Sequence, residues 1–298
     1  MQTGVDGFRY FVSNRLKIFD PILNFEGCLF VDYDCHNKRK QHNVQKIILA
    51  SALAISTSFA SWDLFPVLEN HKGQVRFTSY YTTYSDEGRQ YHTLNLSLGS
   101  RYTILPGLEL ALIVPYHVFS YHGSNHLGTD GTGKIRLLTR YQFIPTMNVF
   151  ADIFLPNEYY HYYGEDPWHF NFGLQFSRKI NQLFNFGSQL AVNFSTEGDG
   201  NGNPISTSAA LELDFTVTEN FAPYIKTNAH LELGELFTSH GYQFSHGGGD
   251  LHLASNIGVK YNFNKNISID VSTGIGKWVN IKDSPIAIGA GFALLFNF

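Results

Sequence analysis

The sequence predicts an all-β fold: a closed antiparallel up-and-down transmembrane β-barrel of about twelve strands. Three observations predict it. The 298 residues carry as many aromatic side chains (26 Phe, 17 Tyr, 3 Trp) as charged ones (21 basic, 25 acidic). Their charged share is 15%, where a water-soluble domain carries about 25%. From residue 73 onward, segments of roughly 9 to 14 residues alternate between apolar and polar or small side chains, the period of a strand. The connections between these segments alternate between tight turns and long loops, as they do at the two ends of a membrane barrel.

Composition also excludes several classes. A net charge of -4 with scattered Lys and Arg leaves no basic stripe for a nucleic acid. The apolar and aromatic content is too high for a disordered chain. No stretch reaches the ~18 apolar residues of a membrane-spanning helix.

In chain order, residues 38–46 (KRKQHNVQK) are basic, and residues 47–59 form an uncharged run of 13. Ser58 and Ala60 occupy the -3 and -1 positions of a cleavage site before Ser61. Residues 44–60 therefore read as a signal peptide, and export together with the barrel pattern downstream implies a Gram-negative outer membrane. Residues 1–43 read as a mis-set start or leader extension, with translation beginning near Val44. Residues 61–298 read as the barrel. Both cysteines, Cys28 and Cys35, precede residue 44, so the mature region has neither a disulfide nor a thiolate metal site.

Twelve strands are expected at about 73–84, 89–105, 108–121, 133–143, 148–156, 168–180, 183–194, 206–218, 221–233, 250–263, 267–278 and 285–298. The last is the clearest, with Ile286, Ile288, Ala290, Phe292, Leu294, Phe296 and Phe298 on one face and Gly, Ala and Asn filling most of the other. Tight turns at Pro106-Gly107, Pro145 to Met147, Asn181-Gln182, Glu219-Asn220 and Asn264 to Asn266 alternate with loops rich in Gly, Asp, Asn and His. An even strand number places both barrel termini at the tight-turn, periplasmic end.

A Lys or Arg at mid-bilayer on the lipid face costs ~2–4 kcal/mol, so strand charges must face inward. Arg76, Arg101, Lys134, Arg136, Arg140, Lys226 and Lys260 take the inward parity, with Glu109, Asp152, Glu212, Asp214, Glu232 and Asp270. The nearly balanced signs fit paired groups filling the interior or groups lining a pore. Arg101, Glu109, Arg136, Arg140, Glu212 and Asp214 are the leading lumen candidates. Lys277 takes the lipid parity near a strand end, within snorkelling reach of the interface. The loops carry Asp86, Glu87, Asp130, Glu158, Glu165, Asp166, Glu197, Asp199, Glu235, Asp250 and Asp283 against Arg89 and Lys282. That is first a solvated rim, and secondly a mouth that gathers cations.

Chemistry-bearing motifs are weak. The loop histidines His122, His126, His161, His240 and His246 have no helical i, i+4 spacing or Cys partner, so no metal site and no cofactor are assigned. Ser124, His126 and Asp130 sit in a Gly-rich loop, where such residues co-occur without forming a triad, and no catalytic residue is assigned. The segment NEYYHYYGEDPWHF is more suggestive. Tyr159, Tyr160, Tyr162, Tyr163 and Trp168 suit an extracellular stacking platform for a ring-bearing ligand, against the alternative of an interfacial aromatic girdle.

Residues 94–116 (LNLSLGSRYTILPGLELALIVPY) and 131–143 (GTGKIRLLTRYQF) resemble the outer-membrane β-barrel family of the "MetA-pathway of phenol degradation" type. The hairpins at residues 214–233 and 257–276 are similar to that family's closing hairpins. Lys134 departs from the pattern, where an acid is expected after the Gly-x-Gly lead. The resemblance implies a barrel that passes small hydrophobic or aromatic compounds. The terminal Phe298 resembles the C-terminal signature of outer-membrane proteins.

The functional expectation is a non-enzymic channel or transporter for a small-molecule cargo. Its expected partners are outer-membrane lipid, lipopolysaccharide and, through Phe298, the outer-membrane assembly machinery. The alternatives are an outer-membrane lipid hydrolase and a structural or adhesive barrel with a plugged lumen. A hydrolase needs a Ser and a His on the lipid face, whereas His92, His117, His169, His230 and His252 are all expected at or near the inward parity.

Overall fold

The computed structural model describes residues 67–86, 88–123, 125–126, 131–156, 167–196, 203–237, 241–243 and 248–298. The chain divides into two units, Met1–Leu53 and Ala54–Phe298, and all described residues belong to the second. The leader, the signal peptide and its cleavage site lie outside them.

The described residues form one closed antiparallel barrel of twelve strands: β1 (Gly73–Asp86), β2 (Arg89–Leu105), β3 (Leu108–His122), β4 (Arg136–Ile144), β5 (Met147–Phe154), β6 (His169–Lys179), β7 (Phe184–Ser195), β8 (Asn203–Phe215), β9 (Phe221–Phe237), β10 (Leu251–Asn262), β11 (Ile267–Trp278) and β12 (Ala287–Asn297). Each strand pairs with its chain neighbours, and β1 closes the ring against β12, from Gln74 opposite Asn297 to Tyr84 opposite Ala287. Closure leaves no edge strand, which a bilayer requires because its core offers no water to an open ladder. The first and last residues are stitched together: Gly73 N–H donates to the Phe298 carbonyl (2.9 Å), and Phe298 N–H donates back (3.0 Å).

The two faces separate as the period-two pattern requires. Large apolar residues point outward and are exposed along the whole wall, among them Leu98 (56%), Leu190 (60%), Ile257 (59%) and Ile275 (58%). Rings join them, including Trp168, Phe170 and Phe172 stacked along one line (6.4 and 6.2 Å between centroids). Lys277 is exposed opposite Leu253 and one residue from the end of β11, as its parity predicts.

All twelve expected strands are present, and the differences in their bounds have local causes. β9 runs beyond residue 233 because the β8–β9 ladder shifts register at Ile205/Ser206. Such a bulge breaks the alternation that marks a strand in sequence. β4 begins at Arg136 because residues 131–132 already pair with β3 in a shifted register. A further shift at Leu94/Asn95 leaves Val118 as an extra residue in β3. It turns Phe119 and Tyr121 outward and brings Ser120 and His122 inside.

On the inner wall, rings from one strand occupy space left by glycine on the next. A Cβ on Gly289 would lie 1.9 Å from the Tyr80 hydroxyl and 2.4 Å from Tyr80 Cζ. Gly289→Ala should therefore cost about 1–3 kcal/mol through forced repacking of Tyr80. In a Tyr80→Ser background the same change should be close to neutral, as read from urea unfolding midpoints in detergent micelles.

Candidate functional site: the barrel interior

Every sequence-predicted lumen residue faces inward. Arg101, Glu109, Arg140 and Glu212 are all below 5% exposed, and Asp214 is buried. Arg136 pairs across the β3–β4 and β4–β5 ladders with Ile113 and Phe154, both of which are buried. Its guanidinium lies over the Phe154 ring, 5.0 Å from the centroid.

The charges are not spread evenly along the axis. Arg76, Arg101, Glu109, Arg140, Asp152, Glu212, Asp214, Lys226, Lys260 and Asp270 all lie within six residues of the tight-turn end of their strands. Apart from Asp152, which accepts from Asn171 Nδ2 (3.3 Å), they form a belt made of two arcs.

The first arc is a chain of hydrogen bonds across half of the wall. Gln74 Nε2 donates to Asn297 Oδ1 (2.6 Å), and Arg101 Nε donates to Gln74 Oε1 (3.1 Å). Arg101 and Arg140 both approach Glu109 Oε1, at 3.7 and 3.1 Å. Arg140 also donates twice to Gln175 Oε1 (3.0 and 2.7 Å), and Gln175 donates to Gln189 (2.9 Å). Glu109, Arg101 and Arg140 sit in the GLEL, SRY and TRYQF stretches that carry the family resemblance. Those motifs therefore supply the centre of this arc.

The second arc crosses β8 to β11 and returns to β1. Lys260 Nζ donates to Glu212 (2.7 Å) and Asp214 (3.2 Å), and Lys226 approaches Glu212 at 3.6 Å. The Tyr224 hydroxyl donates to Asp270 Oδ1 (2.8 Å), and Arg76 lies 3.5 Å from the other Asp270 oxygen. Ion pairs this buried recover their desolvation cost only with good geometry and further hydrogen bonds, and both arcs supply these.

The long-loop half of the interior is different. Inward positions there carry mainly rings and imidazoles: Tyr84 stacks on Tyr91 (4.5 Å), Tyr91 on His122 (3.9 Å), and His252 meets Trp278 edge-on (5.2 Å), with Glu232 beside His230 Nε2 (2.9 Å) as an acid among them. Lys134 lies between these halves, donating to the Pro167 carbonyl (3.2 Å) and to His169 Nε2 (2.5 Å). The sequence pattern places His169 and His252 inside, but His122, expected in a loop, is carried inside by the bulge in β3, and the rings around all three were not expected. The signal was available, since Tyr80, Tyr84 and Tyr91 share the inward parity.

One sequence expectation changes. His92 faces outward: it pairs with Thr83 and hydrogen-bonds Tyr81 on the lipid face, Nδ1 to hydroxyl 2.6 Å. It is nine residues from the inward Arg101, an odd step that parity sends to the other face. The imidazole is thus engaged by a phenol, and no serine among the described residues hydrogen-bonds to it. Trp168 stands in the outward line with Phe170 and Phe172. Tyr159, Tyr160, Tyr162 and Tyr163 lie outside the described residues, as do most of the loop acids. Of the described rim acids, Asp250 has its carboxyl raised above the usual range by partial burial and by the nearby Glu232 carboxylate.

Among the described residues no group of three His, Cys, Asp or Glu side chains is placed to hold a metal ion.

No protein-family model matches the chain, and no curated protein matches it in sequence. Solved structures do match in fold. The chain is similar to the COG4313 outer membrane channel from Pseudomonas putida F1, with a TM-score of 0.59 and 11% identity over 78% of this chain and 98% of that one. It is also similar to the translocator domain of the autotransporter NalP from Neisseria meningitidis, with a TM-score of 0.53 and 8% identity over 87% of this chain and 98% of that one. At these identities the likeness is one of fold: the chain is a closed twelve-stranded antiparallel barrel of the outer-membrane kind.

Proposed function

We propose that the protein is an outer-membrane channel that passes small, ring-bearing or otherwise hydrophobic molecules between the exterior and the periplasm. The observation that carries this reading is the partition of the barrel wall. The outer face is apolar, while the interior is polar and charged at the tight-turn half and lined with rings at the other. Twelve strands ~4.8 Å apart and tilted ~40° close into a ring of roughly 12 Å backbone radius. Inward side chains take up part of that ring, since Arg101, Glu109, Arg140, Gln175 and Glu212 are all below 5% exposed. The inward rings Tyr84, Tyr91 and Trp278 are themselves buried, Tyr91 between Tyr84 and His122, so a planar cargo passes this half only by displacing rings that stack on one another. The tight-turn end faces the periplasm, lipopolysaccharide surrounds the long-loop end, and Phe298 presents the terminal strand to the assembly machinery.

A second reading, a structural barrel with a filled lumen, draws support from the pairing of the belt charges with one another. Planar-bilayer conductance of the refolded chain from Ser61 to Phe298 separates the two. Discrete channels are expected, together with solute flux in liposomes. Absence of both would leave the structural reading. The extracellular platform is tested by Tyr160→Ala with Tyr163→Ala, for which uptake of aromatic solutes should fall at unchanged conductance.

A further inference from the structure

The chain does not enter β1 directly from the rim. Thr103 and the residues before Gly73 extend the β1–β2 ladder by two hydrogen bonds, His71 N–H to the Thr103 carbonyl and Thr103 N–H to the Lys72 carbonyl, both 3.0 Å. Just before this the chain reverses, with Lys72 N–H donating to the Glu69 carbonyl (3.0 Å) and His71 at a φ of 58°. The reversal sends residues 67–69 onto the inner wall. The Thr103 hydroxyl donates to the Leu68 carbonyl (3.0 Å), Leu68 N–H donates to Glu109 Oε2 (3.1 Å), and Val67 N–H donates to Gln142 Oε1 (3.2 Å). These anchors belong to β2, β3 and β4 in turn. The segment therefore runs across the inside of three of the twelve strands at the tight-turn mouth.

The anchoring is specific in its chemistry. Two backbone N–H groups that water would otherwise satisfy are instead taken up by side chains of the wall. One acceptor is the carboxylate at the centre of the first belt arc, whose other oxygen is held by Arg101 and Arg140. Thr103 and Glu109 are 0% and 1% exposed with the segment in place. Hydrogen bonds of N–H to a charged acceptor are about twice as strong as neutral ones, so the Glu109 contact is the firmest of the three.

We infer that residues 67–72 form a strap that narrows the tight-turn mouth of the lumen, with Glu109 as its latch. The inference rests on the channel reading and adds a constriction to it. It assigns Glu109 a role distinct from lining an ion path: the carboxylate faces the strap, and the guanidinium pair behind it holds it in place. Release of the latch would widen the periplasmic mouth while leaving all twelve strands paired.

The test replaces the two donors without touching the wall. Proline has no N–H, so Val67→Pro with Leu68→Pro removes both bonds. Single-channel conductance of this variant should rise at least twofold over the parent, with faster solute flux into liposomes. A second readout is independent of conductance: a thiol at Val67→Cys should react with a membrane-impermeant maleimide slowly in the parent background, and at least tenfold faster with Leu68→Pro added, which removes the N–H held by Glu109. Conductance equal to that of a conducting parent would overturn the strap while leaving the channel intact. So would labelling of Val67→Cys in the parent background at the rate of a fully exposed thiol. If parent and proline variant are both silent, the channel reading fails and the constriction fails with it.

Discussion

Glu109→Leu is expected to destabilise the barrel by about 3–5 kcal/mol, the cost of leaving buried charge without its partner. Glu109 is 1% exposed, and Arg101 and Arg140 both converge on its Oε1. Leucine fills the volume but leaves two guanidinium groups facing each other. It also strands the Leu68 N–H, which now donates to Oε2. Glu109→Gln keeps shape and one acceptor, so its loss should be smaller, about 1.5–3 kcal/mol for hydrogen bonds to charged groups. Adding Arg140→Leu to Glu109→Leu should recover part of the larger loss, because one orphaned charge is removed. Neutralising a rim acid such as Asp283 should stay within about 0.5 kcal/mol. The measurement is the urea midpoint of the folded, fast-migrating band on unheated gels. An unchanged midpoint for Glu109→Leu would mean that the carboxylate does not bind the two arginines.

The second large effect is on the opposite face. Ile257 lies mid-way along β10, points outward and is 59% exposed. On a water-soluble protein, changing such a residue to arginine would matter little. In a bilayer, Ile257→Arg should cost ~2–4 kcal/mol, since the guanidinium sits at hydrocarbon depth. Glu219→Arg, in the exposed turn between β8 and β9, is the matched control and should stay within about 0.5 kcal/mol. Equilibrium unfolding in lipid vesicles reads both. Equal stabilities for the two variants would contradict a membrane-facing wall.

Much of the fold was legible because strand periodicity is local. Once Arg101 is assigned inward, every second residue of β2 follows, and Glu109, Arg140, Glu212 and Asp214 were assigned correctly by the same rule on their own strands. The rule fails where the ladder slips. The extra residue at Val118 reverses the parity of β3 beyond it, and the shift at Ile205/Ser206 hides the last four residues of β9. Nothing in a short window of sequence distinguishes such a bulge from the end of a strand. His92 is a different case, since parity sends it outward and the structure agrees with parity.

The belt was half legible. Thirteen inward strand charges of nearly balanced sign imply pairing, but not who pairs with whom. Gln74 and Asn297 are 223 positions apart and meet only because β1 closes on β12. Arg76 reaches Asp270 for the same reason. Lys260 reaches two acids on β8 across an intervening strand, which depends on how far strand tilt carries each side chain around the wall.

By itself the sequence determined the strand number, the alternation of turn lengths and the face of nearly every strand side chain, because a pleated strand repeats every two residues wherever it lies. Tertiary structure alone decided the partners of the buried charges, the gathering of those charges at the tight-turn half, the outward line of Trp168, and the fold of residues 67–69 back onto Glu109. These depend on register and closure. Both are set by contacts between residues tens to hundreds of positions apart, which no local pattern records.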